Sequence, residues 1–204
     1  MPETAYNMSF TAAALRFQES VACAAIFLSV GEWQSVKQLA RRDNLIQSRT
    51  DSSSKRVSSE ICQRLEELHP DELKLLAEGT VQEQQQILWL AICRRHRFLH
   101  EFAVAVVREK YLQLNLDLYP EDYDAFFNAK AQWHDELDRL AETTRMKLRQ
   151  VTFKMLREAD ILTKTNSINP TMMTPRVART VGSHSPDDLR IFPLFDRDIR
   201  ELLQ

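Results

Sequence analysis

The chain has 204 residues, of which 44% are hydrophobic and 27% are charged, proportions that are ordinary for a soluble globular protein. It contains only three glycines. This favours a mostly α-helical fold, because tight β-turns and phosphate-cradling loops need glycine. The net charge of -2 gives no overall attraction to nucleic acid, so any such binding must come from local basic patches.

The sequence predicts neither secretion nor membrane insertion. The N-terminus MPETAYNMSF lacks the basic region and apolar run of a signal peptide. Residues 87–107 are long enough to span a bilayer, but they carry Arg94, Arg95, Arg97 and Glu101. Each of these charges would cost about 2.5–3.5 kcal/mol at a helix centre. We therefore expect a cytoplasmic protein, and the widely spaced Cys23, Cys62 and Cys93 fit buried thiols in a reducing compartment.

Helical periodicity dominates the first half of the chain. The first predicted helix begins at Ser9 or Thr11 and stops at Gly31, and the second covers Trp33 to Arg42. A third helix follows a cap at Thr50 or Ser52, and its apolar stripe consists of Val57, Ile61, Leu65 and Leu68.

Two further helices are predicted before the middle of the chain. One runs from Pro70 to Glu78 and ends at Gly79, and the other starts with a capping box of Thr80 and Glu83. The basic cluster at Arg94 to Arg97 interrupts the second run, and we expect a kink or a junction between packed helices there.

Hydroxyl and basic side chains crowd the start of the third helix. Together with the free backbone N–H groups of a helix N-terminus, they form a surface suited to phosphate. The predicted DNA-binding residues here are Arg49, Ser52, Ser53, Lys55 and Arg56. With the preceding helix they make a possible helix-turn-helix, although the connection is longer than is usual for that motif. A polar loop leading into a capped surface helix is the alternative interpretation.

A winged helix-turn-helix is predicted nearer the C-terminus. Its first helix is Pro120 to Ala131, followed by a short helix at Glu136 to Ala141 and a tight turn. A basic amphipathic helix then starts with Thr144 as its N-cap. Its apolar face consists of Leu148, Val151, Met155, Leu156 and Ala159.

A small β-ribbon would form the wing, from Ile161 to Met173 with a polar turn at Asn166–Ser167. The predicted DNA-binding residues of this unit are Arg145, Lys147, Arg149 and Lys154 on the helix and Lys164 on the wing. An ordinary core helix with a solvated basic face and an incidental hairpin is the alternative.

The pattern predicts three parts: a helical domain at residues 1–116, a winged-helix-like domain at residues 117–181, and residues 182–204 as linker and tail. Gly182 to Asp188 is polar and predicts a flexible linker. The apolar tail that follows either folds back on the body or docks on a partner.

No catalytic motif is present: the chain lacks a P-loop, a GxGxxG and a GxSxG sequence. Cys93, His96 and His100 have metal-ligand spacing on one helical face, but a structural zinc site needs a fourth ligand. Three polar residues at a helix junction are the better interpretation. We predict no enzyme, no cofactor and no small-molecule substrate.

Four segments together are specific enough to indicate a family. They are YNMSFTAAAL near the N-terminus, RTDSSSKR at residues 49–56, ILWLAICRRHRFLHEFAV at residues 87–104, and FFNAKAQWHDELDRLAETTRMKLRQVTFKMLREADIL at residues 126–162. Through them the chain resembles the BrxA family, the small non-catalytic component of BREX (bacteriophage exclusion) systems. The resemblance does not extend to the tail from Gly182.

The resemblance implies a helical, non-enzymatic protein associated with DNA, whose helical part is similar to the NusB fold. It also implies a cytoplasmic accessory that works beside a BREX methyltransferase, an ATPase and a phosphatase-like protein. Where the family often has a glycine after the basic helix, this chain has Asp160, which accepts a left-handed turn less readily.

Three functional hypotheses follow. The first is double-stranded DNA binding with strong salt dependence and weak sequence preference, because few of the predicted residues are base-reading types such as Asn or Gln. The second is an adaptor that binds BREX proteins through its tail and the Arg94 to Arg97 junction, without functional DNA contact. The third is RNA binding, which rests on the NusB likeness alone, since the sequence reveals no exposed aromatic platform.

Overall fold

The computed structural model describes residues 5–12, 14–47 and 50–204, and it confirms the predicted mostly helical fold. A 3-10 helix at Ser9–Ala12 precedes α1 (Phe17–Val30), α2 (Trp33–Arg42), α3 (Asp51–Leu65), α4 (Pro70–Glu78) and α5 (Val81–Arg95). Next, α6 (Arg97–Phe102) continues through a π-helical stretch (Ala103–Arg108) into α7 (Glu109–Leu112). The last helices are α8 (Pro120–Ala131), α9 (Asp135–Asp138), α10 (Glu142–Glu158), α11 (Pro175–Gly182), a 3-10 helix (Pro186–Ile191) and α12 (Asp196–Leu202).

The first helix begins at Phe17 rather than at Ser9 or Thr11, which lie in a separate 3-10 helix, but the other capped helix ends in the first half are confirmed. Gly31 ends α1 in the left-handed conformation, with a φ of 73°. The Thr50 hydroxyl accepts a 3.2 Å hydrogen bond from the Ser53 N–H and so caps α3. Thr80 and Glu83 form both halves of the capping box at the start of α5.

The start of α10 differs from the prediction. The helix begins at Glu142 rather than after Thr144, because the N–H groups of Thr144 and Arg145 both donate to the Ala141 carbonyl. At the other end Asp160 adopts the left-handed conformation with a φ of 58°. The Asn169 amide donates to its carboxylate and to its carbonyl at 3.2 Å, which stabilises a turn that aspartate otherwise disfavours.

The predicted β-ribbon, and with it the wing, is wrong. In the described ranges the only β-pairing consists of two isolated antiparallel bridges, Asp117–Ser167 and Leu162–Ile168. Pro170 has no N–H to extend the ladder, and the next residue, Thr171, donates to the Pro193 carbonyl instead. The chain therefore turns away from the hairpin toward its own C-terminal tail.

The C-terminal tail packs on the body. Gly182 is the last residue of α11 and Pro186 begins a 3-10 helix, so helical structure occupies much of the predicted linker. Trp89 on α5 donates through Nε1 to the Ile191 carbonyl at 3.3 Å, and Phe192 is buried. Buried apolar side chains from residues 6–199 form one hydrophobic cluster. The division into domains at residues 116 and 181 stays a prediction.

The segment before α1, residues 5–12 and 14–16, ties helices from both halves of the chain together, and we call it the N-terminal strap. The Tyr6 hydroxyl donates to Glu101 at 2.6 Å, and the Tyr6 N–H donates to Glu136 at 2.7 Å. Further along, the Leu15 N–H donates to Glu158 on α10 at 2.8 Å. Arg64 on α3 holds the same segment through the Ala14 carbonyl at 2.7 Å.

A buried charged cluster lies under the strap. Arg64 Nε donates to Glu60 Oε1 at 2.9 Å, and His96 Nε2 lies 2.9 Å from the same oxygen. The other ring nitrogen of His96 lies 3.2 Å from the Asn7 carbonyl of the strap. Burial acts to raise the pKa of the Glu60 carboxyl, but the interactions with His96 and Arg64 outweigh burial and hold that pKa below its usual value.

Glu60→Ala is expected to lower the free energy of unfolding by about 3–5 kcal/mol, because Arg64 and His96 would stay buried without their shared partner. Urea unfolding followed by circular dichroism measures the change. Glu67→Ala is the control, since Glu67 pairs with Arg95 at the surface at 3.5 Å and its loss is expected to cost less than about 1 kcal/mol. Equal losses in both variants would contradict the buried-cluster interpretation.

Candidate functional site

One face of α10 is exposed to solvent along nearly the whole helix, and we call it the α10 stripe. At 3.6 residues per turn its members fall within an arc of about 80° and extend over about 21 Å. The only carboxylates of α10, Glu142 and Glu158, lie outside this arc. The members of the stripe are Thr143, Lys147, Gln150, Lys154 and Arg157.

The cations of the stripe differ in the partners that their side chains have within the protein. Lys147 makes no ion pair within the described ranges. Lys154 lies 3.6 Å from Glu158 across one helical turn and remains exposed. Arg157 donates to the Asn166 side chain at 2.6 Å, which places the turn that carries the exposed Lys164 at the C-terminal end of the stripe. Lys164 therefore extends the basic surface without a wing.

Two predicted residues of α10, Arg145 and Arg149, are engaged within the protein instead. Arg145 donates to the carbonyls of Leu140 at 3.0 Å and Asp138 at 2.6 Å, so it closes the C-terminal end of α9. Arg149 forms an ion pair with Asp124 on α8. Both side chains are half-buried, and we leave them out of the exposed surface.

The start of α3 is a second exposed basic surface. Ser52, Ser53, Lys55 and Arg56 are exposed, and neither cation forms an ion pair in the part of the chain that the structure describes. The predicted residue Arg49 lies outside the described residues. The hydroxyls and cations of this first turn project together at a helix N-terminus, as phosphate contact requires.

A groove of about 160 Å³ between α2 and α3 adds residues that the sequence interpretation missed. Lys55 lines it, together with Gln34, Lys37, Gln38, Arg41, Ser58 and Ser59. Lys37 is paired with Glu66 at 3.3 Å, whereas Arg41 is exposed. The polar spacing of Gln34, Gln38 and Arg41, opposite the apolar face of α2, could have identified this wall of the groove.

The N-terminal strap lies between the two basic surfaces. Its 3-10 helix packs against both α3 and α10. Ser9 lines a groove with Lys55 and Arg56, and Arg16 lines another with Lys154. The strap thus connects the α3 surface to the α10 stripe.

The arginines of the basic junction at Arg94 to Arg97 are paired with carboxylates of this protein. Arg94 binds the buried Glu72 through two hydrogen bonds and Asp188 through a third, which joins α4 to the tail. Arg95 pairs with Glu67 and Arg97 with Glu101. His96 is the buried residue between α5 and α6, as expected for a helix junction. The described residues contain no group of three or more side chains suited to hold a metal ion.

No helix in the described part of the chain combines the length and the apolar character that a membrane span needs.

The fold and its surfaces define an all-helical protein with two exposed basic helix surfaces joined by its N-terminal segment. The chain belongs to the BrxA family, whose family model matches residues 4–185. It is 28% identical to the "BREX protein BrxA" of Bacillus cereus (strain H3081.97) over 127 residues, which are 62% of this chain and 64% of that protein. The match thus spans just under two thirds of that relative.

Two further comparisons agree. The "BREX protein BrxA" of Escherichia coli O9:H4 (strain HS) is 26% identical over 145 residues, covering 71% of this chain and 68% of that protein. An uncharacterized protein from Magnetospirillum magneticum, known from its crystal structure, superposes with a TM-score of 0.82 at 20% identity. That superposition covers 94% of this chain and 100% of the other, and it shows a shared fold.

Arg145→Ala is expected to lower the free energy of unfolding by about 1–2 kcal/mol, because the carbonyls at the end of α9 lose a charged donor. Lys147→Ala, two residues along the same helix, is the control and is expected to change stability by less than about 0.5 kcal/mol. Chemical denaturation of both variants measures their free energies of unfolding. If Arg145→Ala unfolds like the control, Arg145 is available to a ligand after all.

Proposed function

We propose that this protein is a non-catalytic, double-stranded DNA-binding accessory of a BREX phage-defence system, and that it acts in the cytoplasm. The α10 stripe is the observation that carries the proposal. Three cations and two neutral hydrogen-bonding side chains lie along about 21 Å of one helix face, with no carboxylate among them. A duplex presents negatively charged phosphates, which attract these cations, beside a major groove wide enough for an α-helix.

Lys147, Lys154, Arg157 and Lys164 would contact phosphates on this surface. Because each neutralised phosphate releases condensed counterions, binding should weaken steeply as salt rises. Lysine and arginine contacts to phosphate fix position without reading sequence, so most of the affinity would be independent of sequence.

The α3 surface would hold a second stretch of backbone. Lys55, Arg56 and Arg41 supply the charge, and Ser52 and Ser53 supply hydroxyl donors at a helix N-terminus. Arg49 belongs to the same proposed set by its position in the sequence.

The first experiment is equilibrium binding of the full chain to labelled duplex DNA, single-stranded DNA and duplex RNA of equal length, at several salt concentrations. Salt-sensitive binding that is tightest for duplex DNA supports the proposal. Tighter binding to duplex RNA would favour the RNA hypothesis, and no binding at low salt would leave the adaptor hypothesis.

Removing cations from either surface is expected to flatten the salt dependence. The plot of log affinity against log salt should lose about two units of slope in Lys147→Ala/Lys154→Ala, and about one to two units in Lys55→Ala/Arg56→Ala. The same duplex titrations measure both slopes.

Lys74→Ala/Arg200→Ala is the matched control, because it removes two exposed cations from α4 and α12, outside both surfaces. Its slope should stay that of the unmodified chain. A surface whose double variant also keeps the original slope does not contact phosphate.

A second candidate function, docking on other BREX proteins, is favoured by Trp133, whose exposed fraction is 84%. Tryptophan is enriched among the residues that contribute most to protein–protein binding. Docking of BREX proteins on the C-terminal tail is less favoured, because Ile191 and Phe192 are buried in the body of the protein. The methyltransferase, the ATPase and the phosphatase-like component are the proposed partners.

Trp133→Ala is expected to weaken capture of these BREX proteins from a mixture of purified components by about tenfold or more, as for an interface hot spot. Duplex binding should be unchanged. Exposed Leu114, at 74%, gives a control variant, Leu114→Ala. Equal capture by the unmodified chain and Trp133→Ala would exclude Trp133 from any such interface.

A further inference from the structure

One residue of the α10 stripe differs in chemistry from the cations around it. Gln150 occupies the centre of the stripe, with Lys147 one turn before it and Lys154 one turn after it. The side chain is exposed, and its amide makes no hydrogen bond to any described residue. A glutamine amide can donate to a phosphate oxygen as a lysine does, but unlike a lysine it also carries a hydrogen-bond acceptor, for which a phosphate offers no donor.

The amide of glutamine matches one base edge at two points. It carries an N–H donor and a carbonyl acceptor side by side. In the major groove adenine presents an acceptor at N7 and a donor at N6, so glutamine can bind adenine through both groups. The lysines on either side would hold the backbones that border the groove and so direct the amide toward the bases.

We propose that Gln150 reads adenine in the major groove, as the one base-specific contact of a surface that otherwise binds phosphate. This inference rests on the proposed duplex-binding function and adds to it a preferred base at a single position. The predicted weak sequence preference then applies to the rest of the site.

Other polar side chains of α10, and the glutamines of α5, are less suited to this role. Arg149 is tied to Asp124, and Thr143 lies at the end of the stripe, where it faces one lysine only. Two glutamines of α5 are bound within the protein: Gln85 donates to the Glu158 carbonyl at 2.9 Å and Gln86 to the Met172 carbonyl at 3.1 Å. Gln150 is therefore the residue whose amide is both exposed and unbonded on this helix face.

Selection from a pool of duplexes with a randomised core, followed by sequencing, tests the inference. The full chain is expected to enrich adenine about fivefold to tenfold at one position of the bound sites. Gln150→Ala should lose this enrichment while its salt slope stays unchanged, because no phosphate contact is removed. Alanine is also a better helix former than glutamine, so the variant is expected to fold.

Gln150→Glu gives a gain-of-preference test, because a carboxylate accepts from cytosine N4 and repels the N7 and O6 acceptors of purines. The enriched base should change from adenine to cytosine. Gln132→Ala is the matched control, since Gln132 is an exposed glutamine in the turn after α8, and it should keep the adenine preference.

The outcomes separate the two proposals. Salt-dependent duplex binding without a preferred base, or an adenine preference that survives in Gln150→Ala, overturns the role of Gln150 and leaves duplex binding in place. Failure of the unmodified chain to bind any duplex overturns the proposed function and the role of Gln150 together.

Discussion

The Glu60 carboxylate is a charge held inside the protein, and the arrangement of both halves of the chain depends on it. An unpaired carboxylate at that depth would be costly, so the fold must supply it with partners. Arg64 comes from the same helix and His96 from the break between α5 and α6. Because these two groups also bind carbonyls of the N-terminal strap, the buried charge fixes where the strap lies. The 3-10 helix of the strap in turn packs against both α3 and α10.

The elements that the sequence predicted well are those whose ends carry their own local chemistry. Gly31 stops α1 and the Thr80–Glu83 box starts α5, and neither depends on distant residues. The prediction of the β-ribbon failed because this segment does depend on distant residues. Two apolar segments around a polar turn, at Ile161–Leu162 and from Ile168, satisfy a hairpin pattern, but the N–H groups of Ile168 and Thr171 donate to Leu116 and Pro193. Such competition between distant partners is invisible to local patterns.

In the candidate site, too, local features were predictable from the sequence, whereas features that depend on distant partners were not. Helical spacing was enough to predict that Lys147, Lys154, Lys55 and Arg56 would be exposed. It could not distinguish Arg145 and Arg149, because their partners are carbonyls of α9 and a carboxylate of α8. Helical spacing also places Arg41 and Gln150 on exposed faces, but neither lies in a cluster of several cations, so charge patterns do not identify them.

The strap also bears on how the protein forms during synthesis. The Leu15 N–H is bonded to Glu158, and the Tyr6 N–H to Glu136, which lie 143 and 130 residues further along the chain. Contacts with such sequence separation form slowly, because most of the intervening chain must be ordered first. The N-terminal helices therefore leave the ribosome without the cover that the strap and α10 later provide. Until then the Glu60 cluster lacks the carbonyl partners of its final state, and the nascent chain would have apolar surface available to chaperones.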